Sequence, residues 1–352
     1  MNTGVDGGDA FDAGGSAGGP PAPDAGGYCG NEVHQAIVDR PNLYFVLDAS
    51  GSMLADVPGQ TGNRYDAVRI AVVDLARKLG PLVNVGAAVF PSKSASDSCA
   101  SGSQVFPVHQ GDPITGEDGP TTTGLRLSTA RLPSGGTPVS STLTALTPTL
   151  LALPGDTYVV IATDGGPNCN PFAVCDAQSC MLNIEGPCEP NGTSCCAPND
   201  PSGGPTFCVD TDATVSAIQA LFVGGLHVSV VGIPGSELYG GVLDTMALAA
   251  GSTKPSSPYY FQVGELGELS GVLSEIAKVA VKCEFVIQDP PAEKGNTNVY
   301  LDNEVLPYND LNGWYWKLPW TVTLVGEACD RLKAGQVKQV QIVSGCPTEM
   351  PK

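Results

Sequence analysis

The chain is poor in positive charge: 17 Lys and Arg stand against 36 Asp and Glu in 352 residues, a formal net charge of −19. Nucleic-acid affinity comes mainly from Lys and Arg displacing counterions, which argues against DNA and RNA as partners. Long apolar runs are missing as well. No uninterrupted stretch approaches the roughly 20 residues of a transmembrane helix, and Met1 is followed by a polar, glycine-rich stretch without the charged and apolar regions of a signal peptide. Histidine occurs three times, at His34, His109 and His227, far apart in sequence, and His227 opens an expected strand, where a structural role fits. No G-x-S-x-G elbow, H-E-x-x-H helix or P-loop is present. The chain is therefore expected not to be an enzyme. A secreted hydrolase would require a catalytic group hidden in the Cys-rich segment described below.

What is present is cysteine, apolar mass and a regular alternation. Twelve cysteines, an even number, point to an oxidising compartment. A hydrophobic content of 42% over this length supports a sizeable core and two domains. Residues 1–28 are Gly, Ala, Asp and Pro almost throughout, with "DAGG" at Asp12–Gly15 and again at Asp24–Gly27, and read as a flexible linker. Such a coil spans on the order of 30 Å.

From Asn42 onward, short apolar runs alternate with helical periodicity. Strands are expected at 42–48, 83–90, 103–110, 157–164, 226–233 and 259–263, and helices at 64–80, 138–153, 211–222, 238–250 and 267–280. This series implies an α/β fold with a mostly parallel sheet covered by helices on both faces. The expected domain runs from 29 to 282, interrupted by a segment at 165–210 with seven cysteines and much Pro, Asn and Gly, whose order must come from disulfides. After it, residues 283–352 carry short β-like runs and read as a small β-rich module.

One stretch, "LDASGSM" at 47–53, concentrates oxygen donors. Asp48 ends the first strand of the series, and in an open parallel sheet ligands sit at the carboxyl ends of the strands. Ser50 and Ser52 follow at alternate positions, with Gly51 allowing the loop to curl so that three oxygens face one point. Thr137, in "SGGTPVSS" just before an expected helix, and Asp164, at the end of the strand "TYVVIATD", belong on the same rim. Hard divalent cations take oxygen ligands, and one carboxylate with two hydroxyls suits Mg²⁺. The bland alternative for D-x-S-x-S alone is a capping loop. An acidic strand end also opens phosphoryl-transfer enzymes of the haloacid-dehalogenase type, but these need a second aspartate where Ser50 stands.

With strand, D-x-S-x-S, amphipathic helix, Gly-Gly-Thr-Pro and Thr-Asp-Gly in order, residues 42 to about 281 resemble a von Willebrand factor A domain with a metal-ion-dependent adhesion site. The resemblance implies a von Willebrand factor A (Rossmann-like) sheet and a divalent metal, Mg²⁺ first and Mn²⁺ or Ca²⁺ as alternatives. It implies that Ser50, Ser52 and Thr137 ligate it directly or nearly so, with Asp48 and Asp164 often acting through waters. A carboxylate from a protein or surface ligand would complete the coordination. More loosely, the chain resembles secreted and lipid-anchored A-domain proteins of deltaproteobacteria, gliding-motility adhesins among them. That implies cell adhesion at the outer surface, secreted or tethered to the outer membrane by a lipid anchor that would precede Met1. The alternative is a structural scaffold subunit of the cell envelope, with the metal site in permanent contact.

The segment's Cys169, Cys175, Cys180, Cys188, Cys195, Cys196 and Cys208 contain no zinc-type C-x-x-C pair, so disulfides are expected. Seven is odd, and Cys99 is the candidate outside partner. Cys29, Cys283, Cys329 and Cys346 leave three pairings. Cys29 with Cys283 and Cys329 with Cys346 are favoured, because the resemblance places the two ends of the domain together. In switchable members of the family the last helix slides on ligand binding, and a disulfide at Cys283 would resist that. The aromatics Tyr308, Trp314, Tyr315, Trp316 and Trp320 are expected to form a core more than a binding surface.

Overall fold

Two short strands, β1 (Glu32–His34) and β2 (Ala36–Val38), lead into β3 (Asn42–Asp48), whose seven residues are all buried. The structure, a computed structural model, describes residues 30, 32–57, 62–93, 97–186, 194–197, 204–317 and 319–350. The expected linker at 1–28 lies outside them, as do Cys29 and Cys188. After β3 come α1 (Arg64–Leu79), β4 (Asn84–Phe90), β5 (Ser103–Gln110), α2 (Pro120–Ser128), α3 (Val139–Leu151), β6 (Thr157–Thr163), α4 (Met181–Glu185), α5 (Thr211–Val223), β7 (His227–Gly232), α6 (Gly240–Ala249), β8 (Phe261–Gln262) and α7 (Leu269–Ala280).

The strands form a six-stranded sheet in the order β5-β4-β3-β6-β7-β8, parallel throughout except for the antiparallel edge strand β5. Side chains alternate across each strand. Leu43, Phe45 and Leu47 of β3 join the cluster under α1 and α7, while Tyr44 and Val46 join the cluster under α3, α5 and α6. That two-sided burial is why β3 reads as an unbroken apolar run. Helix α1 begins where Asn63 accepts the Asp66 N–H and ends at Gly80, whose φ of +53° favours a residue without Cβ. Helix α2 was not legible in sequence, because "PTTTGLRLS" is dominated by residues of low helix propensity; Leu125 and Thr122 bury it against the sheet.

The C-terminal segments form β9 (Glu284–Ile287), β10 (Thr297–Leu301), β11 (Glu304–Leu306), β12 (Gly313–Lys317), β13 (Thr321–Val325), α8 (Glu327–Lys333) and β14 (Val340–Ser344). They build two antiparallel four-stranded sheets, β1-β14-β10-β11 and β12-β13-β9-β2. The boundaries 29–282 and 283–352 therefore need correction at the N-terminal side: β1 and β2 complete the C-terminal sheets, so the α/β unit is inserted between the first strands of the β-rich unit and the rest. Three-residue strands carry too little pattern to reveal their partners, which lie about 250 to 310 positions away in sequence. Trp314 is fully buried in this unit, as the core reading expects, while Tyr308 and Trp316, stacked edge-on against it, and Tyr315 and Trp320 are half-buried. Among the described residues, no helix is long and apolar enough to cross a membrane.

Disulfides order the Cys-rich segment. Cys175 bonds Cys208, Cys180 bonds Cys196, and Cys195 is also disulfide-bonded. Cys99 bonds Cys169, the outside link that the odd count required. The favoured pairings at the domain ends are overturned: Cys283 bonds Cys329, tying the end of α7 to α8, and Cys346 is bonded elsewhere. Because β9 continues directly from α7 into the second unit, Cys283 faces that unit's helix and not the chain's entry.

Candidate functional site

Asp48 is the last residue of β3, and the chain then turns through a short 3-10 helix at Gly51–Leu54. The backbone N–H of Ser50 folds back to donate to Asp48 Oδ1 at 2.8 Å, which curls the loop as the spacing predicts. Ser50 and Ser52 hydroxyls then lie 3.1 Å apart. Ser52 donates to Asp164 Oδ1 at 2.7 Å, bringing in the residue that follows β6. The Gly51 N–H donates to Gly135 O at 2.9 Å, joining this loop to the one that carries Thr137. A Cβ built on Gly165 would sit 3.9 Å from both Ser52 Oγ and Thr137 Oγ1, so these two hydroxyls face one space above that glycine. All five predicted residues come together at one end of the parallel sheet, where strand ends and helix starts meet.

The electrostatics are those of a site short of positive charge. Asp48, Ser50, Thr137 and Asp164 are buried, and Ser52 is open to solvent. Burial, followed by repulsion from Asp164, pushes the Asp48 carboxyl up to about 7, although Thr163 donates to its Oδ2 at 2.5 Å. Asp164 is likewise raised by burial, against hydrogen bonds from Ser52 and from Arg64, whose Nη1 lies 2.6 Å from Asp164 Oδ2. Sequence reasoning missed Arg64, Thr163 and Asn168. Arg64 opens α1 as any helix residue would, and only the folded loop of Gly235, on which the guanidinium packs, aims it at Asp164.

These donors fit a hard divalent cation. Neighbouring ligands of octahedral Mg²⁺, at about 2.0 to 2.1 Å from the metal, are about 2.9 Å apart. The Ser50–Ser52 and Ser52–Asp164 oxygen separations of 3.1 and 2.7 Å straddle that edge length. Ser50, Ser52 and Thr137 are the residues that would hold the ion, with Asp48 and Asp164 behind them. The insertion offers a different cluster, in which sulfurs of Cys175, Cys196 and Cys208 lie within 4.8 Å of one another. All three are already in disulfides, so they present no thiolate to a metal.

The site lies in a cleft of about 410 Å³. One wall is Ser98, Gly135 and Gly136; the other belongs to the insertion, through Met181, Leu182, Glu185 and Phe207. Glu185 accepts a hydrogen bond from Tyr239 at 2.8 Å, which holds it at the rim. Among the described residues lining the cleft, Arg64 is the only cation. Of the histidines, His34 is buried between Asp289 O and Ser344 Oγ, and His227 stacks on Tyr158, so neither faces the cleft.

A parallel sheet with helices on both faces, an antiparallel edge strand, and five oxygen-bearing side chains gathered at one end make up the architecture that the sequence motifs imply. The chain resembles a von Willebrand factor A domain in fold as well as in motif. No protein-family model matches the sequence, and no curated protein matches it. Solved structures that are similar include the pilus adhesin SpaC of Lactobacillus rhamnosus GG, at 16% identity and TM-score 0.49 over 87% of this chain and 39% of that one. The vWF domain of the type V pili tip protein Mfa5 of Porphyromonas gingivalis aligns at 14% identity and TM-score 0.46, over 69% of this chain and 96% of that one. Manganese-loaded TRAP protein of Plasmodium vivax aligns at 12% identity and TM-score 0.42, over 89% and 96%. The chain thus spans 39% of the length of SpaC.

Proposed function

We propose that this protein is a non-enzymatic adhesion or ligand-binding protein that holds a divalent cation at Asp48, Ser50, Ser52, Thr137 and Asp164 and binds an acidic group of its partner through it. The observation that carries the reading is the convergence of three hydroxyls with two buried carboxylates at the floor of a cleft whose described lining residues include one cation, Arg64. Hydroxyls neutralise little of a divalent charge, so a cation bound there keeps electrophilic character for a carboxylate from outside. The disulfides of the described part of the insertion support an oxidising compartment. In this reading it acts at the outer cell surface, and its partner is a protein or surface ligand that presents the carboxylate.

The test is a thermal melt of wild type and Asp48→Ala in EDTA and with Mg²⁺, Mn²⁺ or Ca²⁺ added. Binding to the folded state raises stability by RT ln(1 + [L]/Kd), about 2.7 kcal/mol at a hundredfold excess over Kd. A shift that saturates in wild type and is absent in the variant is the expected result. A wild type that no divalent metal shifts would sink the reading. If metal does bind, reversal by EDTA of attachment to an outside surface separates adhesion from permanent assembly in an envelope scaffold.

A further inference from the structure

Thr137 is the metal-site residue with the least support from its own element. It precedes α3 in an irregular loop after Gly135 and Gly136, and nothing in its local sequence fixes its height over the site. Two segments far away in sequence do so. From one side, Gly136 N–H donates to Ser98 O at 2.8 Å. From the other, Thr137 N–H donates to Asn168 Oδ1 at 2.7 Å, and Asn168 N–H donates back to Thr137 O at 2.9 Å.

Ser98 and Asn168 each stand one residue before a half-cystine, and those two half-cystines, Cys99 and Cys169, are bonded to each other. The bond also lies against the loop itself: a Cβ on Gly136 would be 2.5 Å from Cys169 Sγ and 3.4 Å from Cys99 Sγ. Cys169 is held at a φ of +74°, a left-handed conformation that a side-chain-bearing residue keeps only when its surroundings enforce it. The disulfide and the bond from Cys169 N–H to Thr206 O, 2.8 Å, supply that enforcement.

We infer that Cys99–Cys169 with Asn168 is a clamp that positions Thr137 over the metal site, which makes these three the positioning residues of the reading proposed above. The function of the insertion is then partly explained. Its first residues, directly after Asp164, form one jaw of the clamp, while the loop after β4 forms the other. Without the covalent link, Ser98 and Asn168 still can bond the loop, but nothing holds the two jaws at a fixed separation, and Thr137 drifts from Ser52.

The experiment reads the loop with and without metal. Amide hydrogen exchange is measured in EDTA for wild type, Cys99→Ser/Cys169→Ser, and Cys283→Ser/Cys329→Ser as a control for general loss of stability. Exchange at Gly136 and Thr137 is expected to speed at least tenfold more than exchange at the β3 and β6 amides in the first variant, and no more than those amides in the control. Should Cys99→Ser/Cys169→Ser fail to fold, Asn168→Ala tests the same jaw: it frees the Thr137 amide, and Asn168→Asp, which keeps an acceptor, restores protection. Wild-type exchange at Gly136 and Thr137 in Cys99→Ser/Cys169→Ser, or in Asn168→Ala, overturns the clamp. Calorimetric Mg²⁺ titration should then show about tenfold weaker binding in the clamp variants and unchanged binding in the control. A wild type that binds no Mg²⁺ defeats the metal reading alone, since the exchange data judge the clamp without it.

Discussion

Replacing Asp48 by Asn is expected to move stability in opposite directions with and without a divalent metal. The Asp48 carboxyl is wholly buried, and burial together with Asp164 raises it from 3.8 to about 7. An acid raised in this way keeps its proton in the folded chain at pH values where the unfolded chain has lost it. Its contribution is therefore most favourable in acid and is lost as pH rises from about 4 through 7. At about 1.4 kcal/mol per pH unit, a gap of about three units makes the charged form cost about 4 kcal/mol at pH 8. Asn carries no charge but has one acceptor oxygen for two donors, Ser50 N–H and Thr163 O–H, a loss of about 1 kcal/mol. The variant should thus be more stable than wild type by about 3 kcal/mol at pH 8 in EDTA, a rise in melting temperature of roughly 5 °C. At pH 5 the advantage should shrink to less than about 1 kcal/mol, because wild-type Asp48 is then protonated in the folded chain and ionised only in the unfolded one, and it should vanish between about pH 4 and 5. With Mg²⁺ at a thousandfold excess over Kd, wild type gains about 4.1 kcal/mol and overtakes the variant, which gains little. Differential scanning fluorimetry at pH 5 and 8, with EDTA or Mg²⁺, gives all four comparisons. An Asp48→Asn protein that is less stable than wild type at pH 8 in EDTA would refute the account of this site as one short of positive charge.

Arg64→Ala removes the guanidinium from Asp164, which should lower metal-free stability by about 2 kcal/mol and tighten Mg²⁺ binding severalfold, since one competing cation is gone; melting and calorimetry report the two effects. Gly235→Ala should reproduce that pattern, because its Cβ would lie 2.3 Å from Arg64 Nη1 and the residue sits at a φ of +112°; unchanged Mg²⁺ affinity would show that Arg64 does not restrain Asp164. Cys283→Ser/Cys329→Ser opens a loop spanning 46 residues and should cost about 4 kcal/mol by denaturant unfolding. Trp314→Ala empties the middle of the aromatic stack in the β-rich unit and should cost about 3 to 5 kcal/mol, with a Mg²⁺-induced shift still present in the α/β unit if that unit folds on its own sheet.

Periodicity carried most of the α/β unit. Strands β3, β4, β6 and β7 are buried on both faces and therefore appear as apolar runs, and α1 shows its buried stripe in "RYDAVRIAVVDLARKLG". Short or weakly patterned elements were invisible: β1 and β2 for their length, α2 for its threonines and glycine. The pairing of Cys283 misled because it followed from where the ends of a domain lie, and the chain does not end the domain there but crosses into a second unit that β1 and β2 have already begun.

By itself, the sequence determined which oxygens could meet. Asp48, Ser50 and Ser52 are bound to one loop by spacing, and Thr137 and Asp164 sit at the strand and helix ends that a parallel sheet gathers on one rim. It also determined that the insertion must be held by disulfides and joined once to the rest, through Cys99. Only the tertiary structure decided what surrounds those oxygens. Arg64 on Asp164, Thr163 on Asp48, and Ser98 and Asn168 on the Thr137 loop are contacts between residues 31 to 115 positions apart, set by the packing of separate loops and strands. Spacing along a chain can place donors on a common edge; their charge balance and their rigidity depend on which distant side chains the fold brings against them.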